Sequence, residues 1–211
     1  MNKIALTLLL GVTFLSCNTN KNDKDTSTHR RERETLTIDQ EAERVTPNVI
    51  NYTLSGKRAG DFTVGAPIPT PTAMDSYTVK KEQETRTAEG ETYEETYYVI
   101  TAAGEELVHL LPDPGNTDTI GEIVVISPRY KTDKNIGVDA TVEAFMKAYP
   151  EHKLWYTYVS DMYVIETDAA TGQFILDASG FTGKVKVKSD MTTLKSGDFK
   201  KDTKIKKIRI L

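Results

Sequence analysis

Residues 141–177 read TVEAFMKAYPEHKLWYTYVSDMYVIETDAATGQFILD, and the change of period inside this run decides the fold class. Val142, Phe145, Met146 and Tyr149 fall at i, i+3, i+4 and i+7, the spacing that lines one face of an α-helix. A helix is therefore predicted over about 141–149. Asp139 or Thr141 can cap its start, and Pro150, which has no N–H to donate, stops it. Beyond Pro150 the run turns β-branched and aromatic, predicting strands at Leu154–Val159, Met162–Thr167 and Gln173–Asp177. Asp168-Ala-Ala-Thr-Gly172 would turn the second of these back into the third as a hairpin.

Working outward, the same alternation predicts strands at Val49–Leu54, Ser76–Arg86, Thr92–Thr101, Glu106–Leu111, Glu122–Ser127, Lys184–Lys188 and Lys204–Ile210. Ala88-Glu89-Gly90 would close a hairpin between the second and third of these. The prolines of APIPTPT, 66–72, require an extended loop or a sheet edge. Strand, helix, then antiparallel strands implies one α+β domain over 45–211, a mainly antiparallel sheet with one helix packed on it.

The first 44 residues read differently. Lys3, an apolar stretch from Ile4 to Leu15, then Ser16 and Cys17 have the layout of a secretory signal peptide, too short to span a bilayer, which takes about 20 apolar residues. Cys17 is the chain's only cysteine, so no internal disulfide can form. From Asn18 to about Arg44 the only apolar residues are Leu36, Ile38 and Ala42, too few to offset the entropy of ordering the chain. Residues 18–44 are thus read as a disordered tether.

Phe14-Leu15-Ser16-Cys17 resembles the lipobox of bacterial lipoproteins, with Phe14 where Leu is usual. The resemblance implies that residues 1–16 are removed, that lipid is attached to Cys17, and that the mature protein is held on a membrane of the cell envelope. Asn18 follows the cysteine instead of the Asp that enteric bacteria read as an inner-membrane signal, so the resemblance favours the outer membrane. A second resemblance covers Ile123 to about Asp177. VVISPRYKTDKNIGVDATVEAFMKAYP is similar to a segment of bacterial lipoproteins carrying domains of unknown function, in which a strand ends in Ser-Pro and a Gly-containing loop leads to a capped helix. Ser127, Pro128, Thr132, Gly137, Val138 and Thr141 follow the pattern, and Asp139 stands where it has Gly. That family carries no activity to transfer.

The formal net charge of −4 argues against a nucleic-acid surface over the whole chain. The charge is unevenly placed: Phe181–Leu211 holds ten Lys or Arg against three Asp, whereas Cys17–Gly180 holds 16 basic and 28 acidic residues. Lys204, Lys206, Lys207 and Arg209 are therefore candidates for binding an anionic lipid or glycan from a solvated face. The alternative is that the lysines of 184–188 blunt a sheet edge and face the acidic hairpin of Glu82, Glu84, Glu91, Glu94 and Glu95. Trp155, Tyr156 and Tyr158 are candidate aromatic contacts for a sugar or peptide, against the simpler reading that they pack. Leu154, Tyr156 and Tyr158 would share one strand face, with Trp155, Thr157 and Val159 on the other.

Catalytic machinery is sparse. No Gly-x-Ser-x-Gly elbow or phosphate-binding loop is present, and of the three histidines His109, between Val108 and Leu110, reads as a sheet residue. Asp113–Asp118 lacks calcium-loop spacing and reads as a turn. No cofactor or metal is expected. The sequence points to a non-catalytic binding or assembly module of the cell envelope, with the membrane, an anionic lipid or glycan, or an envelope protein as partners. The rival reading is an envelope glycan hydrolase working through paired carboxylates.

Overall fold

Thr141 caps the expected helix, α1 (Val142–Ala148), by accepting from the Ala144 amide at 3.1 Å. The Val142 and Glu143 amides donate to the carbonyls of Thr203 and Lys201, so a distant segment completes the helix start. The computed structural model describes residues 49–70, 76–88, 91–186 and 189–211, all within one compact unit, Thr46–Leu211. The signal peptide, Cys17 and the 18–44 tether lie outside the described residues.

Among the described residues twelve strands accompany the helix: β1 (Leu54–Ser55), β2 (Arg58–Ala59), β3 (Phe62–Thr63), β4 (Thr78–Ala88), β5 (Glu91–Ala102), β6 (Glu105–Asp113), β7 (Asn116–Val125), β8 (Lys153–Thr157), β9 (Met162–Glu166), β10 (Gln173–Leu176), β11 (Met191–Thr193) and β12 (Ile205–Ile210). The first three form a small sheet, and the other nine an antiparallel sheet of order β11-β8-β9-β10-β12-β7-β6-β5-β4. The C-terminal strand β12 lies between β10 and β7, joining two meanders that the chain builds separately. Its Ile208 and Ile210 alternate into the core, and a register shift at Lys206 brings Ile205 onto the same buried face. α1 packs on the same face, with Phe145 edge-on to Phe174 of β10 at 4.8 Å. The protein is sheet-rich, closer to mainly β than to a balanced α+β.

The loop from β7 to α1 accounts for its sequence pattern. A Cβ at Gly137 would lie 2.1 Å from the Tyr130 carbonyl oxygen, so only glycine fits. Asp139 has φ +67°, a left-handed conformation that glycine adopts freely and Asp tolerates better than most residues. The proline-rich segment lies along the free half of β7: Gly65 and Ile68 donate to the carbonyls of Ile120 and Asp118, while Pro67 between them donates nothing. The β6–β7 turn is closed by Asp113 Oδ1, which accepts from the Gly115 and Asn116 amides at 2.7 and 3.1 Å.

Some expected strands are corrected. Val49–Leu54 is irregular until Leu54, and Ile50 and Tyr52 pack on the core from a loop. At Lys184–Lys188 the described residues, 184–186, form no strand, and residues 187 and 188 lie outside the described residues. The chain just before them is pinned by the Thr182 amide, which donates to the Asp198 carbonyl. Among the described residues the sheet ends at β11 on that side and at β4 on the other. The β4–β5 hairpin forms as expected, although residues 89 and 90 of its turn lie outside the described residues.

Candidate functional site

The sheet's other face, away from α1, carries the candidate site. On β5, Tyr93, Glu95 and Tyr97 share this face, because successive side chains alternate, and on β12 Lys207 and Arg209 do so between the buried isoleucines. On the N-terminal side of Tyr98, β5 parts from β6 but stays paired with β4, so a two-stranded ribbon runs past the rest of the sheet. β4 is at one end of the sheet and β8 next to the other, yet Arg86 of β4 and the β8–β9 turn residues Val159, Ser160 and Asp161 line one groove of about 690 Å³. The sheet therefore curls around this space. Leu111, Val124, Ile126 and Met162 supply its apolar floor.

Most charges in the groove are already matched. Arg209 grips Glu122 of β7 with two parallel bonds, Nε to Oε1 at 2.5 Å and Nη2 to Oε2 at 2.7 Å. That pairing raises the Arg209 pKa further above its usual range, against the opposing effect of burial. Arg86 bridges Glu95 at 2.8 Å and Glu84 at 3.1 Å. Asp161 accepts from the Tyr156 hydroxyl at 2.7 Å, a bond that pushes the tyrosine up to about 12.

Lys207 is different. It is partly buried, and no ion pair or hydrogen bond joins its ammonium to another described residue. Burial first, then the positive charges of Arg209 and Arg86, lower its pKa, with Glu122 and Glu95 opposing. His109 also faces the groove, its ring 5.2 Å from that of Tyr97. Its Nε2 lies 3.4 Å from a Glu106 carboxylate oxygen but has no aligned hydrogen-bond partner among the described residues.

The sequence candidates separate. Lys204 and Lys206 stay on the outside, within 3.8 Å of Asp139 and 3.5 Å of Asp177 respectively. A register shift beside Lys206 places Lys207 and Arg209 on the groove side, so the four residues do not form one solvated row. The basic segment does meet the acidic hairpin, but through Glu95 at a distance, while the contact partner is Glu122.

The aromatic row also breaks up, because β8 ends at Thr157 and leaves Tyr158 in the turn, 61% exposed. Tyr156 packs at a tilt against Tyr163 at 5.0 Å, which in turn packs on Phe181 and Phe199, so it belongs to a packed cluster. Trp155 is paired in register with Val164 and Thr193, its Nε1 buried without a partner. Sequence reasoning missed Tyr93 and Glu122 as site residues, although the alternation Tyr93-Glu95-Tyr97 marks a shared face.

No family model matches the sequence, and no curated protein does. Among solved structures, the chain is similar to the crystal structure of the uncharacterized protein YfeY from Escherichia coli, at 13% identity and a TM-score of 0.44, over 76% of this chain and 98% of that one. Among the described residues no helix is long and apolar enough to cross a membrane, and no cluster of His, Cys, Asp or Glu is placed to hold a metal ion.

Lys207 allows a stability test. Its folded pKa is depressed, so its charge costs stability below that depressed value, and the cost fades as pH rises toward the unfolded value of about 10.4. Lys207→Met is expected to raise the melting temperature at neutral pH by roughly 1–3 °C. The gap should close as the pH approaches that of free lysine. A variant that melts lower at neutral pH, or a gap that widens with pH, would show that the ammonium has a stabilising partner.

Proposed function

We propose that this chain is a lipid-anchored protein of the cell envelope, carried at the outer membrane through Cys17 and a tether over 18–44, whose folded domain is a non-catalytic module that binds an anionic ligand in the curled face of its sheet. One observation carries the binding reading: Lys207 is a partly buried cation without a partner, in a groove whose other cations are each held by a carboxylate. A half-buried ammonium is partly stripped of water, and a ligand that supplies the opposite charge offsets that loss.

The groove's carboxylates weigh against the hydrolase reading. A glycosidase needs two carboxyl groups free to flank the scissile bond. Glu84, Glu95 and Glu122 are each engaged by an arginine instead.

Titration of the full chain in detergent with inorganic phosphate, glycerol 3-phosphate and glucuronate tests the binding reading. At least one of these anions is expected to bind at low salt and to weaken above about 0.1 M salt, where the screening length is about 10 Å. Lys207→Gln should abolish the binding, and Lys204→Gln with Lys206→Gln should leave it unchanged. If no anion binds, or if the loss follows the outer lysines, the groove is not the binding surface.

A further inference from the structure

The groove presents three cations, Arg86, Lys207 and Arg209, and four carboxylates, Glu84, Glu95, Glu122 and Asp161. Its own charge is thus slightly negative, with the single unpaired positive charge at Lys207. A doubly charged phosphate would meet more repulsion than attraction there, whereas a single carboxylate can sit on the one free ammonium. The walls also exclude a hydrocarbon ligand. An acyl chain would strip water from the paired charges around it without replacing the lost hydrogen bonds, and burial of such polar groups without partners is unfavourable.

A ligand with many hydroxyls can replace that water, because the lone pairs and N–H groups left over on the arginine–glutamate pairs remain available to it. Tyr93, 47% exposed, and Tyr97 add flat rings beside these pairs, and ring faces accommodate the C–H face of a sugar while leaving its hydroxyls free. The volume of about 690 Å³ falls in the range of about 300–1,000 Å³ common for small-ligand sites, enough for a short saccharide.

We infer that the groove binds an acidic saccharide, a sugar bearing a carboxylate, with the carboxylate on Lys207, the hydroxyls on the arginine–glutamate pairs, and a ring face against Tyr93 and Tyr97. This inference rests on the binding reading above and narrows it to one ligand class. Lys207 sets the preference for the charged sugar, and the tyrosines contribute to binding of charged and neutral sugars alike.

The test is calorimetric titration of the full chain in detergent with galacturonate, which carries a single carboxylate, its neutral counterpart galactose, and inorganic phosphate. Galacturonate is expected to bind at least about tenfold more tightly than either of the others. Lys207→Gln should remove the preference over galactose while leaving the weak neutral binding. Tyr93→Ala should weaken both sugars by a similar factor, with circular dichroism confirming that each variant is folded. Equal affinity for charged and neutral sugars, or a preference that survives Lys207→Gln, would overturn the inference. Tighter binding of phosphate through Lys207 would also overturn it, yet leave the anion-binding module standing. Failure of every anion to bind would bring down both.

Discussion

Cys17→Ser should abolish incorporation of labelled lipid and move the protein from the membrane fraction to the soluble one. The effect is expected to be close to all-or-none. A buried acyl chain contributes about 0.8 kcal/mol per methylene, and stable anchoring takes two such signals, which the diacylglyceryl group implied by the lipobox resemblance would provide on one side chain. Cys17 is the only cysteine, so no other thiol can take over. Among the described residues no helix offers a second means of spanning the bilayer. Mass spectrometry of the mature protein gives an independent reading: its chain should begin at Cys17 and carry the added lipid mass. A mature chain beginning elsewhere without modification would end the lipoprotein reading, as would a serine variant that remains firmly membrane-bound.

Phe145→Ala should give the largest loss of stability of any single change considered. Phe145 is fully buried, packed against Phe174 of β10 at 4.8 Å and Tyr149 at 5.2 Å, so it ties α1 to the sheet. Truncating a buried phenylalanine costs about 3–5 kcal/mol, combining lost transfer energy with the cavity left behind. In a domain of this size each kcal/mol lowers the melting temperature by about 2–4 °C, so a drop on the order of 10 °C is expected. Tyr158→Ala, at an exposed turn position, is the matching control and should change stability by no more than about 0.5 kcal/mol. A loss below about 1 kcal/mol for Phe145→Ala would mean that the helix does not depend on this packing.

The two halves of the basic segment show where sequence reading succeeds and where it stops. Ile208 and Ile210 are visible as a buried face, and Lys207 and Arg209 as the opposite one, from alternation alone. That Lys206 drops out of the row follows from a register shift opposite Ile175 and Leu176, which depends on a partner strand about 30 residues away in sequence. The aromatic run at 154–159 likewise contains no sign that its strand stops at Thr157, because the stop is set by the turn into β9 and by which neighbour is available to pair. The sheet ending at Met191–Thr193 was hidden for the same reason: three residues of ordinary composition become a strand only because β8 presents an edge to them.

By itself the sequence determined the helix, a cap at Asp139 or Thr141 and its stop at Pro150, most of the long strands, the β9–β10 and β4–β5 hairpins, and which side chains share a face where a strand runs without a bulge. These are local properties, set by the periods of helix and strand and by the backbone limits of proline and glycine. Only the tertiary structure decided that the C-terminal strand joins the two meanders and that the sheet curls. It also decided that Glu122 and Arg209, 87 residues apart, close a bond beside an unpaired Lys207. Strand order and curvature arise from non-local pairing and from packing against α1. A groove built from β4, β5, β7 and β12 therefore has no signature in any short stretch of the chain.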